Sequence, residues 1–331
     1  MHDWPLLLPL CLLLTMSSAL ADDADETFGC EANPTGNPIG GGEGYTDILT
    51  TGDFVVTTAD ELLAALKQAQ AGQIVFVPDE VEIDLTGHRN IALPDGVTLA
   101  GTRGLDRSPG ARIFTTLRQS HTLMRTAGDE VRITGLRFEG ACATTELVAD
   151  HSSFLSVGHY GTEVDNCEVS AFNVNGISVS ADAIDVQIHH NNIHHCQRSG
   201  YGYGVVVGSS DAHIIANIFD YCRHHIAASG APGCGYEAAW NLVGPNASSH
   251  HFDMHGGSDR GDRTNIAGDW MDIHHNTFQS AHAHVVIRGV PCQGVDVHHN
   301  WFARPAAQSV SSGGNTRVYQ NVHGPDRTLE E

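Results

Sequence analysis

The sequence predicts an all-β, single-domain parallel β-helix with an N-terminal capping helix. Three observations carry this. Asparagines recur at near-regular spacing, each just after a short β-rich run. The repeating units contain no helical periodicity. One amphipathic helix precedes them. With 331 residues and 41% hydrophobic content, the chain can bury a long core.

In chain order, residues 1–21 ("MHDWPLLLPLCLLLTMSSALA") hold an apolar run from Leu6 to Leu14 and then Ala19-Leu20-Ala21, the pattern of a secretory signal peptide. No later stretch is long and apolar enough to span a membrane. A secreted or periplasmic protein is expected. Residues 22–51 are acidic, then rich in Gly and Pro, and read as a flexible lead-in. Thr58 followed by Glu61 fits a capping box, and Leu62, Leu63, Leu66 and Ala69 form an apolar stripe, so a helix is expected up to Gly72. Short runs such as "QIVFVPDEVEIDLTG" and "IALPDGVTLAG" follow.

From about residue 131 the chain repeats: "VQIHHNNI" (186–193), "HIIANIF" (213–219), "YEAAWNLV" (236–243), "MDIHHNTF" (271–278), "VDVHHNWF" (295–302) and "VYQNV" (318–322). Asn191, Asn217, Asn241, Asn276, Asn300 and Asn321 are 26, 24, 35, 24 and 21 residues apart, and Cys167 holds the equivalent slot in "EVDNCEV". Such periods mean stacked supersecondary units, and units without a helix leave a parallel β-helix. The stacked asparagines would form a hydrogen-bonded ladder at an inward bend. The β-helix is expected over 52–323, with a short tail at 324–331.

The capping segment "VTTADELLAALKQAQAGQIVFVP", the coil "IALPDGVTLAGTRG" and the "VDVHHNWF" repeat resemble the right-handed parallel β-helix proteins of the pectate-lyase-like superfamily. The resemblance implies three strands per coil, with the asparagine bend after the second and a substrate cleft on the first sheet. It spans lyases, hydrolases, epimerases, esterases and non-enzymatic surface proteins. Candidate first strands are 154–158, 176–180, 204–208, 225–229, 251–255 and 284–288. Their second and fourth residues are all compatible with a core.

The alternating residues then form three outward columns. The first is Phe154, Gly176, Gly204, His225, His251, His284; the second ends Ala227, Asp253, Val286; the third ends Ser229, His255, Arg288. Strands lie roughly 4.8 Å apart, so three histidines should stack beside Asp253, His255 and Arg288. His251, Asp253, His255 and Arg288 are the candidate catalytic residues, with His255 or Arg288 moving the proton. His225, His251, His284 and Asp253 are a candidate ligand set for Zn²⁺. Glu237, Asp272 and Asp296 on the second sheet are the alternative set, suited to Ca²⁺. The competing reading makes each group a wet polar face. No organic cofactor is expected.

The formal net charge is −22, and Lys67 is the only lysine. Nothing concentrates positive charge, so nucleic acid is excluded as a partner. An anionic polymer would need local arginines or a bridging cation. Of eight cysteines, Cys11 lies in the leader, leaving Cys30, Cys142, Cys167, Cys196, Cys222, Cys234 and Cys292, an odd number. Cys196 and Cys222, each five residues after a ladder asparagine, either pair or fill the interior. Residues 256–270 lengthen one repeat and would hang beside His255 and Arg288. Arg260-Gly261-Asp262 reads as a chance adhesion motif. Asn246-Ala247-Ser248 is a glycosylation sequon, relevant only in a eukaryotic host.

The expected function is a monomeric carbohydrate-active enzyme with a polysaccharide substrate, a lyase acting by β-elimination on a uronate-containing polymer. By resemblance, such lyases use Lys or Arg as base and Ca²⁺ to neutralise the carboxylate. Here Lys67 lies in the capping helix, and Arg288 or a histidine must substitute. A glycoside hydrolase, which needs two carboxyls, and a metal- or glycan-binding surface protein are the alternatives.

Overall fold

The computed structural model describes residues 28–118, 121–142, 152–181, 183–304, 306 and 308–329. The expected leader, the start of the lead-in and the last two residues lie outside them. The described strands form three parallel sheets of eleven, nine and eleven strands, joined antiparallel only at the C-terminal end. Each coil contributes one strand to each sheet in turn. No described helix is long and apolar enough to cross a membrane.

The capping helix spans Ala59–Gln68, with both halves of the Thr58–Glu61 capping box formed. Leu62, Ala65 and Leu66 are buried against the end of the core. The helix covers apolar residues that would otherwise face water at an unpaired end.

The ladder forms as its spacing implies. Asn191 Nδ2 donates to Asn217 Oδ1 at 3.0 Å, and the series continues through Asn241, Asn276, Asn300 and Asn321 at 2.9–3.1 Å. Each amide oxygen also takes a backbone N–H from the coil before. A left-handed residue precedes every rung: His190, Ala216, Trp240, His275, His299 and Gln320 have φ of 48–55°. That conformation turns the chain sharply from the second sheet to the third. It is costly for a residue with a Cβ, and the fully paired buried amides offset it.

Cys167 heads the ladder, its N–H donating to Asn191 Oδ1 at 2.9 Å. All seven described cysteines are free. The disulfide weighed for Cys196 and Cys222 is not formed: both thiols are free and fill the interior, Cys196 Sγ donating to the His194 carbonyl at 3.5 Å and Cys222 Sγ to the Asp220 carbonyl at 3.6 Å.

The lead-in differs from the mobile segment its composition suggests. From residue 28 it runs back along the ladder corner, from the C-terminal coils to the N-terminal ones. Gly29 N donates to His299 O (2.9 Å), Gly40 N to Ala216 O (2.8 Å), Gly42 N to Asn166 Oδ1 (2.8 Å) and Tyr45 Oη to Asp165 Oδ2 (2.9 Å). Its glycines permit the close approach: a Cβ on Gly41 (φ 64°) would lie 2.4 Å from the His190 carbonyl. The tail also carries structure, because Thr328–Leu329 pairs with Val322–His323.

Candidate functional site

On the first sheet, Leu155, Ile177, Val205, Ile226, Phe252 and Val285 pair in one register. The twelve residues expected to point inward do so, none more than 3% exposed. Asp253 faces outward between Ala227 and Val286. His255 and Arg288 follow as the next outward pair, each donating its backbone N–H to the coil before.

The first column is corrected. Phe154, His225, His251 and His284 are fully buried, not outward. The chain turns a corner as it enters this sheet, so two successive residues face the core and strict alternation fails. Phe154 packs between Phe138 (4.1 Å) and Phe172 (5.6 Å). The imidazoles take the same place on later coils, beside Phe219, Phe278 and Phe302.

Their rings stack at 4.9 and 5.8 Å with interplanar angles of 17° and 9°. His225 and His251 meet Nδ1 to Nδ1 at 2.9 Å, and His284 Nε2 donates to the Ser280 carbonyl at 2.8 Å. Burial pushes the His225 pKa down to about 3 and that of His284 to about 4, and holds His251 well below the usual range. These are neutral core groups. His251 therefore does not face a substrate, and His225, His251 and His284 cannot share an ion with the outward Asp253.

The outward imidazoles are one residue earlier. His224 opens its strand and His250 lies two residues before Phe252–Met254; their ring centroids are 4.2 Å apart, and Tyr203 stacks on His224 at 5.7 Å. They converge on Asp253, whose carboxylate is fully buried. His250 Nε2 lies 3.0 Å from Oδ1, and His255 Nε2 lies 2.9 Å from Oδ2. Arg288 grips both oxygens, Nε to Oδ1 at 2.9 Å and NH2 to Oδ2 at 2.6 Å. Burial opposes ionisation of Asp253, yet the hydrogen bonds from His250 and His255 hold its carboxyl far below the usual range.

His224 is fixed as the Nδ1–H tautomer. Its Nδ1 donates to the His250 carbonyl at 2.6 Å, and its Nε2 accepts from Arg223 NH1 at 2.6 Å. Burial pushes its pKa down to about 3, so it stays neutral. The inserted loop packs beside this cluster, as its position implies. Its short helix Gly257–Arg260 places Asp259, which takes the Gly256 N–H at 3.0 Å and Arg288 NH1 at 2.9 Å. Arg260 pins the loop through the Ser229 and Ile266 carbonyls.

Arg288 is thus committed to two carboxylates and cannot be a base. Arg223, by contrast, spends one N–H on His224 and is only half-buried. Sequence reasoning missed Arg223, His224, His250 and Tyr203. Two signals pointed to the histidines alone: the doublets His224-His225 and His250-His251 share a register, and Phe154 at the head of a supposedly wet column is a core residue type.

His224, His250 and Asp253 bring ligand atoms within 4.8 Å of one another, the one such group among the described residues. These three residues are a possible metal site, one whose ligand atoms the protein's own arginines already engage. Arg223 already holds the His224 lone pair and Arg288 both Asp253 oxygens, so an ion would sit against two guanidiniums. The alternative set is also spoken for. Glu237, Asp272 and Asp296 do align. Glu237 takes His213 (2.7 Å) and His274 (3.1 Å), Asp272 takes His298 (3.1 Å), and Asp296 pairs with Arg317. The two imidazoles pull the Glu237 pKa down to about 2. This is a self-neutralised wet face and not an oxygen cage.

The sequence matches no protein-family model and no curated protein. Solved structures do resemble it. An alginate lyase from Paenibacillus sp. strain FPU-7 superposes with TM-score 0.54 at 16% identity, over 82% of this chain and 98% of that one. The A-module of the Azotobacter vinelandii mannuronan C-5 epimerase AlgE6 superposes with TM-score 0.56 at 16% identity, over 84% of this chain and 73% of that one. Together with the three parallel sheets, these likenesses make the fold a right-handed parallel β-helix, pectate-lyase-like in architecture.

Proposed function

We propose that the protein is a secreted polysaccharide lyase that cleaves a uronate-containing polymer by β-elimination on the outer face of the first sheet. One observation carries the reading: His255 holds its Nε2 on the buried, ionised Asp253, which leaves Nδ1 as the basic nitrogen. The similar fold of an alginate lyase and a mannuronan epimerase supports a uronate substrate.

In this reading Arg223 binds the uronate carboxylate and stabilises the charge that develops when the α-proton leaves. His255 Nδ1 takes that proton. The β C–O bond then breaks, giving an unsaturated uronate, and the departing oxygen receives a proton from Tyr203. Burial raises the Tyr203 pKa and keeps its hydroxyl protonated. Asp253 and Arg288 position the base, and no metal takes part. Hydrolysis fits less well, because Asp253 and Asp259 are both bound to Arg288 and neither is free to act as an acid.

Epimerisation at the same carbon is a second reading. It is favoured by the two imidazoles, His250 and His255, on opposite oxygens of Asp253, where one could remove the proton and the other return it. Incubation with a panel of polyuronates, alginate included, separates the readings. A lyase produces ultraviolet absorbance from the new double bond. An epimerase incorporates deuterium from heavy water without that absorbance. A hydrolase yields only new reducing ends. Absence of all three from every polyuronate would reject the proposal.

A further inference from the structure

The second sheet carries a feature that the first-sheet site does not use. Trp270 begins the strand Trp270–His274 and stands between two glycines, Gly235 on one neighbouring strand and Gly294 on the other. A Cβ built on Gly235 would lie 2.3, 2.5 and 2.6 Å from Nε1, Cδ1 and Cε2 of the indole. A point nearly equidistant from three ring atoms lies over the ring's face. The indole is therefore laid flat on Gly235, and Trp270 is only half-buried.

On the other side Gly294 leaves a trough. A Cβ there would come no closer than 3.6 Å to any atom, the nearest being on Asn315. The resulting groove holds roughly 390 Å³. Gln293, Asp272, Asp296, Asn315 and Arg317 supply planar polar groups around it. A flat aromatic face ringed by amides, carboxylates and a guanidinium is the chemistry that receives a pyranose: C–H groups stack on the ring while hydroxyls exchange hydrogen bonds with the rim.

The charge selects which sugar. Arg317 is the one cation lining the groove, and it is committed to Asp296. Asp272 adds a further negative charge, shared with His298. A uronate would find the one guanidinium already paired and would bring its own charge beside two carboxylates, whereas a neutral sugar brings none.

We propose that this groove is a second carbohydrate site, separate from the first-sheet cleft, that binds neutral pyranose units of a glycan. It does not depend on the lyase reading. The test is affinity electrophoresis of the full protein in gels containing glucan, mannan, xylan, galactan or a polyuronate. At least one neutral polymer should retard the wild type. Trp270→Ala should weaken that retardation at least tenfold, Trp270→Phe should keep part of it, and polyuronate turnover should be unchanged in both. A neutral oligosaccharide of the retarding type should also shift the Trp270 indole N–H resonance of the wild type, identified by its loss in Trp270→Phe. Failure of all four neutral polymers to retard the wild type, or equal retardation of Trp270→Ala, would overturn the proposal.

Discussion

Two sets of histidines lie side by side in this molecule, and one residue of register separates them. His250 and His255 face outward on a buried aspartate, within reach of solvent. His225, His251 and His284 face inward, stacked among phenylalanines. Residue type is the same, and environment sets the role. A carboxylate partner and a wet face leave an imidazole ready to move a proton. A desolvated stack with no carboxylate leaves it neutral and structural.

The sharpest way to break the comparison is at Asp253. Asp253→Asn removes the charge that orients both outward imidazoles and leaves Arg288 without its partner. Polyuronate turnover should fall by about 10³-fold, and the melting temperature should fall as well. Turnover within tenfold of wild type would mean that Asp253 does not organise the site. Arg223→Ala should raise KM more than it lowers kcat, with a combined loss of about 10²-fold in kcat/KM, about 2.7 kcal/mol of transition-state binding. An unchanged KM would remove Arg223 from substrate recognition.

The inner stack sharpens the comparison through pH. Its histidines stay neutral when folded but protonate below about 6.5 when unfolded. Their contribution to stability is complete above that pH and declines as pH falls toward the folded values of about 3 for His225 and about 4 for His284. Each contributes a slope of about 1.4 kcal/mol per pH unit across that window. Urea midpoints between pH 7 and pH 4.5 should fall accordingly, and less steeply for His225→Phe. A parallel pH profile for that variant would show that His225 does not carry the effect. Two smaller effects complete the series. Asn241→Ala strands buried ladder N–H groups and should cost about 1–3 kcal/mol without altering KM. EDTA should leave turnover unchanged, because the proposed steps run through His255, Arg223 and Tyr203 without a metal.

The ladder and the core were legible because their signals repeat. Asn191 through Asn321, and pairs such as Ile226/Ala228 and Phe252/Met254, state the same rule on coil after coil. Asp253, His255 and Arg288 were legible because they lie past the corner, where alternation holds. His224 and His250 were not, because at the corner the backbone presents two successive residues to the core, and a period of two places the wrong member of each doublet outside. Arg223 lies just before its strand, where periodicity has no reach. The ordered lead-in was hidden for another reason. Its composition reads as mobile, and the partners that order it, such as Asn166 and His299, lie more than a hundred residues away in sequence.

The central claim is that the outward imidazoles do the chemistry and the inward ones do not. Turnover of a polyuronate by His255→Phe and by His251→Phe, each corrected for the folded fraction, tests it most directly. Phenylalanine suits the core position, where it matches neighbouring rings, but cannot carry a proton at either. The account predicts a loss of about 10²–10⁴-fold for His255→Phe and a rate within about twofold of wild type for His251→Phe. The reverse pattern, or equal losses in both, would contradict it.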